Sequence, residues 1–303
     1  MDPIERQAQD RVRRYCAQRC LSEAFAQRAL AELWPLARWI AGQRDATDAC
    51  PVIGINGAQG TGKSTLAGLL QDFLDLLGLR TALLSLDDLY LTRAARLQLA
   101  ERVHPLLATR GVPGTHDVDL GVTLLERLRS LRRGAALDLP RFDKARDDRA
   151  EPSAWRRVEG PIDLVLFEGW CVGTPPQDAA ALVRPVNALE AGEDADARWR
   201  YWVNERLANE YRRLFAPIAR LIFLRAPDFA CVFAWRRQQE EDNGRIAGVA
   251  DSPLRDAAAL QRFIAHYERL TRHALDVLPQ RADVVIDLDA DHRIAAVRYR
   301  AGD

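Results

Sequence analysis

The sequence predicts an α/β fold: a doubly wound, mainly parallel sheet with helices on both faces, extended by an N-terminal helical segment. Three observations carry that expectation. The runs Val52-Ile53-Gly54-Ile55, Leu164-Val165-Leu166-Phe167 and Leu221-Ile222-Phe223-Leu224 hold no polar side chain, as in strands covered by helices on both faces. Between them, leucines and aromatics return at helical spacing. The first run also passes through a glycine-rich turn directly into the first of those helical segments.

The elements follow in order. Residues 4–44 read as helix, with Val12, Cys16, Leu21, Phe25, Leu30, Leu33, Trp34 and Ile40 on a rough 3.6 period and Pro35 expected to break or kink the run. Acidic residues interleave with its arginines, which favours a docked extension over residues 1–48 rather than a membrane- or nucleic-acid-binding helix. Residues 49–303 are expected to form one domain. Within it, Val52–Asn56 is a strand, and Leu66, Leu69, Leu70, Phe73, Leu74 and Leu77 mark a helix stopped by Gly78. Residues 81–86 form a second strand, and Leu120, Leu124, Leu128 and Leu131 a helix closed by Gly134. Strands over 164–167 and 221–224 come next. A helix opened by Ser252-Pro253 and carried by Leu260, Phe263, Ile264, Tyr267 and Leu270 leads to a last strand, Val284-Val285-Ile286.

Composition narrows the function. The chain has 303 residues and balances 43 basic against 43 acidic side chains, so bulk charge would not hold it to nucleic acid or an anionic membrane. No stretch approaches the roughly 18 apolar residues of a membrane span. The cysteines, Cys16, Cys20, Cys50, Cys171 and Cys231, are scattered and odd in number, which suits free thiols and a cytoplasmic location. Cys16 and Cys20 stand one helical turn apart, but no neighbouring Cys or His completes a set of four metal ligands. Of the 43 basic residues 41 are arginine, and the only lysines are Lys63 and Lys144.

One lysine lies in Gly57-Ala58-Gln59-Gly60-Thr61-Gly62-Lys63-Ser64, a full match to G-x-x-x-x-G-K-[ST] between a strand and a helix. This loop and the following Thr65 are expected to bind the phosphates of a nucleoside triphosphate, giving a P-loop NTPase-type fold. Its backbone N–H groups would wrap a phosphate, Lys63 would reach the β- and γ-phosphates, and Ser64 would offer its hydroxyl to Mg²⁺. Glu168, at the tip of the 164–167 strand, is placed to hold the same cation or its water shell. Asp87-Asp88-Leu89-Tyr90 follows the second strand, where a carboxylate could orient an acceptor hydroxyl and take its proton; a helix cap or Asx turn would suit the same position. No guanine-reading N-K-x-D motif is present.

Together with Phe167-Glu168-Gly169-Trp170, these motifs resemble the P-loop small-molecule kinases that include uridine kinase, phosphoribulokinase and pantothenate kinase. Within that group the sequence is most similar to plant-type D-glycerate 3-kinases and their bacterial and fungal relatives. Three further stretches carry the resemblance: Arg110-Gly111-Val112-Pro113-Gly114-Thr115-His116-Asp117; Leu139 to Lys144 continuing through Asp148 to Trp155; and Trp235-Arg236-Arg237-Gln238-Gln239-Glu240. The resemblance implies an ATP- and Mg²⁺-dependent kinase of a small anionic acceptor, foremost D-glycerate, with another alcohol or a nucleotide-binding regulator as alternatives. It implies a helical lid at about 227–250, Asp87 as general base and Arg236 as a lid arginine closing over the phosphates. It also brings Tyr90, His116, Asp117, Arg141, Lys144 and Arg149 to the acceptor. Arg141, Lys144 and Arg149 would form a basic pocket for a carboxylate, although a salt-bridged surface loop or, for His116-Asp117, a helix cap would use the same residues.

Overall fold

The computed structural model describes residues 3–19, 21–45, 50–247 and 256–300. Six strands form the central sheet: β1 (Val52–Gly57), β2 (Thr81–Ser85), β7 (Leu164–Gly169), β8 (Ile218–Arg225), β9 (Val284–Leu288) and β10 (Ile294–Tyr299). Their order is β10-β9-β8-β1-β7-β2, parallel throughout except for β10, which runs antiparallel to β9. Two short antiparallel pairs stand apart, β3 (Ala136–Leu139) with β6 (Arg156–Glu159) and β4 (Phe142–Asp143) with β5 (Asp148–Arg149).

Alternation along the strands divides the core, because successive side chains leave a strand on opposite faces. Ile53, Ile55, Leu164 and Leu166 pack on one face with Leu66, Leu69, Leu70 and Phe73 of α3 (Lys63–Leu76). Val52, Val165 and Phe167 pack on the other with Leu124, Leu125 and Leu128 of α5 (Val118–Arg129), Val203 and Leu207 of α7 (Arg198–Ala208), and Tyr211 and Leu214 of α8 (Glu210–Phe215). Helices on both faces of a parallel sheet are the predicted architecture.

The N-terminal segment differs in detail. It forms two helices, α1 (Pro3–Gln18) and α2 (Glu23–Asp45), and the break falls just before Ser22 rather than at Pro35. Ser22 Oγ caps α2 by accepting from Phe25 N at 3.1 Å. Pro35 lies inside α2, where burial of Leu33, Trp34, Leu36, Ala37 and Ile40 offsets the lost backbone hydrogen bond, a cost of about 3 kcal/mol or more. Both helices pack on α3 within the same core. Cys20 lies outside the described residues.

Other boundaries also moved. Asp117 caps α5, which ends at Arg129, several residues before Gly134. The late helix α10 (Ala257–Val277) is capped by Asp256, whose Oδ2 accepts from Ala259 N at 2.9 Å; Ser252-Pro253 lies outside the described residues. The helix preceding it, α9 (Phe229–Ala247), occupies the expected lid region, of which residues 248–250 also lie outside the described residues. Sequence reading missed α4 (Arg93–Arg102), α6 (Ala188–Glu193), α7, α8 and β10, whose apolar positions are too few or too irregular to show a period. A buried ion pair ties α10 to α6: Arg269 Nη2 lies 2.6 Å from Glu190 Oε2, with side chains 6% and 0% exposed. Among the described residues no helix is long and apolar enough to cross a membrane.

Candidate active site

The carboxyl ends of β1, β7 and β2 lie side by side and bring Gly57, Glu168 and Ser85 to one rim of the sheet. From β1 the chain enters the glycine-rich loop, where Gly60 and Gly62 take φ of +80° and +86°. Any other residue would be strained there by roughly 1–2 kcal/mol. A Cβ at Gly60 would also come within 3.1 Å of the Trp235 Cβ and 3.2 Å of the Arg236 nitrogen, so the loop is tucked against α9. Thr61 Oγ1 and Lys63 Nζ both donate to the Ala58 carbonyl, at 2.8 and 2.9 Å. Burial pushes the Lys63 ammonium pKa down against the upward pull of Glu168 and Asp87.

Glu168 is buried at the end of β7, where its Oε1 accepts from Ser85 Oγ at 2.8 Å and from Ser64 Oγ at 3.1 Å. Burial raises its carboxyl pKa, opposed chiefly by Lys63. Behind the loop, Tyr15 of α1 donates its hydroxyl to the Thr65 carbonyl at 3.0 Å, so the N-terminal segment touches the first turn of α3.

The two aspartates after β2 part company within a single 3₁₀ turn, Leu86–Leu89. Asp87 meets Lys144 Nζ at 2.6 Å through Oδ2 and accepts from the Tyr90 hydroxyl at 3.0 Å through Oδ1. Burial alone would raise its pKa, but Lys144, Lys63 and the Tyr90 hydrogen bond together hold it well below the usual carboxylate range. Asp88 instead accepts from Phe142 N at 3.0 Å and anchors the β4–β5 hairpin that carries Lys144. Burial, reinforced by the neighbouring charges of Asp87 and Glu168, pushes the Asp88 carboxyl up to about 6.

A cleft of about 360 Å³ opens between the loop, this turn, the hairpin and helices α9 and α10. Of the sequence-predicted residues, Gln59, Gly60, Gly62, Lys63, Ser64, Thr65, Asp87, Tyr90, Lys144, Glu168 and Arg236 line it. Gly57, Ala58 and Thr61 belong to the loop but do not line the cleft, and Arg237 is exposed.

Four expected acceptor residues lie elsewhere. His116 is buried beneath Tyr90, stacked on it at 4.5 Å with Nδ1 2.5 Å from the Tyr211 hydroxyl, and burial lowers its pKa to about 3. Asp117 caps α5 through Oδ1 and pairs with Arg149 through Oδ2 at 3.0 Å. Arg149 also donates to the Tyr90 carbonyl at 3.2 Å, so it braces the turn and does not line the cleft. Arg141 is exposed and does not line the cleft, while the neighbouring Phe142 is buried, as alternation along the hairpin requires.

The structure adds Arg110, Trp170, Trp235, Gln238, Phe263, Tyr267 and His292 to the lining. His292 sits in the β9–β10 turn and stacks on Trp235 at 4.5 Å. The general placement of sites beyond the carboxyl ends of parallel strands would have pointed to the turn after β9. Arg110 opens a segment already singled out for its motif, yet nothing in its spacing marks it as the residue that reaches inward.

No family model matches the sequence. The chain is 31% identical over 261 residues to the chloroplastic D-glycerate 3-kinase of Arabidopsis thaliana, a match covering 82% of this chain and 54% of that protein. The chain thus spans about half the length of that relative. It is 36% identical over 233 residues to an uncharacterised kinase of Schizosaccharomyces pombe, covering 71% of this chain and 78% of that one. Among solved structures it superposes on a D-glycerate 3-kinase of Cryptococcus neoformans var. grubii with a TM-score of 0.71 and 26% identity, over 88% of this chain and 98% of that one. With the phosphate loop and parallel sheet in place, the chain belongs to the P-loop small-molecule kinase family that contains the D-glycerate 3-kinases.

Proposed function

We propose that this protein transfers the γ-phosphoryl group of ATP to a hydroxyl of D-glycerate, giving 3-phosphoglycerate, with Mg²⁺ as cofactor. The observation that carries this reading is that the Asp87 carboxylate, the phosphate-loop lysine and the Ser64–Glu168 pair line one cleft. The loop, from Gly57 to Thr65, holds the donor phosphates, and Lys63 exchanges its bond to Ala58 for a phosphate oxygen. Ser64 and Glu168 present only oxygen donors, the ligand type a hard cation such as Mg²⁺ takes, and they would hold it; when bound it neutralises phosphate charge. Asp87 orients the acceptor hydroxyl and accepts its proton, a role for which a carboxylate held ionised is ready at any physiological pH. Arg236, on the lid helix α9, faces the same cleft and stabilises the charge spread on the transferring group.

In this reading residues 49–303 are the catalytic unit, with the lid at about 227–250, and residues 1–48 brace it through the Tyr15–Thr65 contact. The test is ADP release measured against a panel of D-glycerate, nucleosides and pantothenate-like alcohols. Turnover with glycerate at the level of background ATP hydrolysis removes the proposal.

A further inference from the structure

Arg110 is held from three sides. Its backbone carbonyl accepts the Tyr267 hydroxyl at 2.9 Å, and that of Gly111 accepts Trp170 Nε1 at 2.9 Å. Its guanidinium lies over the rings of Phe142 and Phe263, at 5.6 and 5.9 Å. Its Nη1 donates to Asp147 Oδ1, and among the described residues Nη2 and Nε have no hydrogen-bond acceptor. The side chain is 15% exposed, and Arg110 lines the cleft.

Asp147 is itself anchored. Arg96, a fully buried side chain, meets Asp147 Oδ2 at 2.9 Å and spends its other N–H groups on the carbonyls of Leu91, Ala108 and Asp147. One carboxylate therefore serves two guanidinium groups. Arg96 is sealed in by protein, whereas Arg110 lines the cleft, so Arg110 is the member of this pair of guanidinium groups that can meet an anion there. Tyr90 lines the same cleft, donates its hydroxyl to Asp87 and interacts electrostatically with Arg110.

We propose that Arg110, positioned by Asp147 and Arg96, is the residue that binds the acceptor's carboxylate, so that the cleft selects a small alcohol carrying a carboxylate at the end remote from the reacting hydroxyl. A planar guanidinium with free N–H groups matches a carboxylate in two-point geometry, which the point charge of Lys144 does not. The inference rests on the reading of the acceptor as an anionic alcohol and replaces the Arg141–Arg149 hairpin as its carboxylate site.

The experiment compares KM for D-glycerate and for its neutral methyl ester in the wild type, Arg110→Gln and Arg110→Lys, with melting temperature as the check on folding. Arg110→Gln raises the KM for glycerate by about 10–100-fold, the loss of a charge-assisted contact, while the KM for the ester moves less than about twofold. Arg110→Lys, which keeps the charge and loses the fork, gives an intermediate rise and serves if the glutamine variant does not fold. Equal shifts for acid and ester, or no shift for either, overturn the role of Arg110 while leaving a glycerate kinase standing. A wild type that phosphorylates neither compound overturns the glycerate reading and this inference together.

Discussion

Lys144 Nζ lies 2.6 Å from Asp87 Oδ2, so the tip of the β4–β5 hairpin is tied to the turn at the end of β2. Lys144 is 60% exposed and Asp87 33%, which limits the pair to under about 1 kcal/mol of stability. Its larger effect is on the charge of Asp87. A carboxyl whose folded pKa is lowered supports the native state above its unfolded value and loses that support as pH falls through the folded value. Lys144→Ala should therefore move the acid limb of the pH profile of kcat/KM upward and raise the acceptor KM roughly tenfold, with the KM for ATP unmoved. An acid limb that stays in place would show that Lys144 does not set the charge state of Asp87.

Asp87→Asn keeps a side-chain oxygen for the Tyr90 hydroxyl and removes the proton acceptor. We expect kcat to drop by about 10²–10⁴ while nucleotide affinity is retained, as measured by product formation and by titration of a fluorescent ATP analogue. Wild-type transfer in that variant would move the base to another residue.

The raised carboxyl of Asp88 has the opposite sign to that of Asp87. With a folded pKa of about 6 against 3.8 unfolded, the native state binds more protons between those values, so stability declines as pH rises across that window and is flat above it. Asp88→Asn preserves an acceptor for Phe142 N and removes the buried charge. It should gain about 1–3 kcal/mol at pH 7 and show no such decline, read from urea midpoints at pH 4.5 and pH 7. Identical pH dependence in both proteins would refute the assignment.

Glu190→Gln leaves Arg269 buried and without its counter-charge. Removing one member of a buried pair costs about 3–5 kcal/mol, so the chemical denaturation midpoint should fall sharply, by far more than for the exposed Arg293–Asp291 pair broken by Asp291→Asn. Equal effects at the two sites would mean that water already screens the α6–α10 junction.

The parts of the site that could be read from sequence are those whose chemistry is local. Gly60, Gly62, Lys63 and Ser64 form one turn, and the spacing of the glycines is itself the structural instruction. Asp87 and Glu168 were legible because each ends an apolar strand, and parallel strands deliver their carboxyl ends to a common rim. Arg110, Tyr267, Trp235 and His292 were not, since each reaches the cleft from a segment whose own pattern says only turn or amphipathic helix. The Arg141–Asp148 charges illustrate the limit most directly. Composition could not separate Lys144, which faces the cleft, from Arg149, which braces Tyr90, because the difference lies in the register of a two-residue strand pair.

The scarcity of lysine acquires a practical meaning once both positions are located. The only two side-chain amines in the protein line the same cleft, one in the phosphate loop and one on the hairpin tip. Reagents that acylate amines, unspecific on most proteins, become site-directed on this one. Apart from the chain terminus, every adduct falls where donor and acceptor are expected to meet, and protection by either ligand can be counted by mass, one lysine at a time.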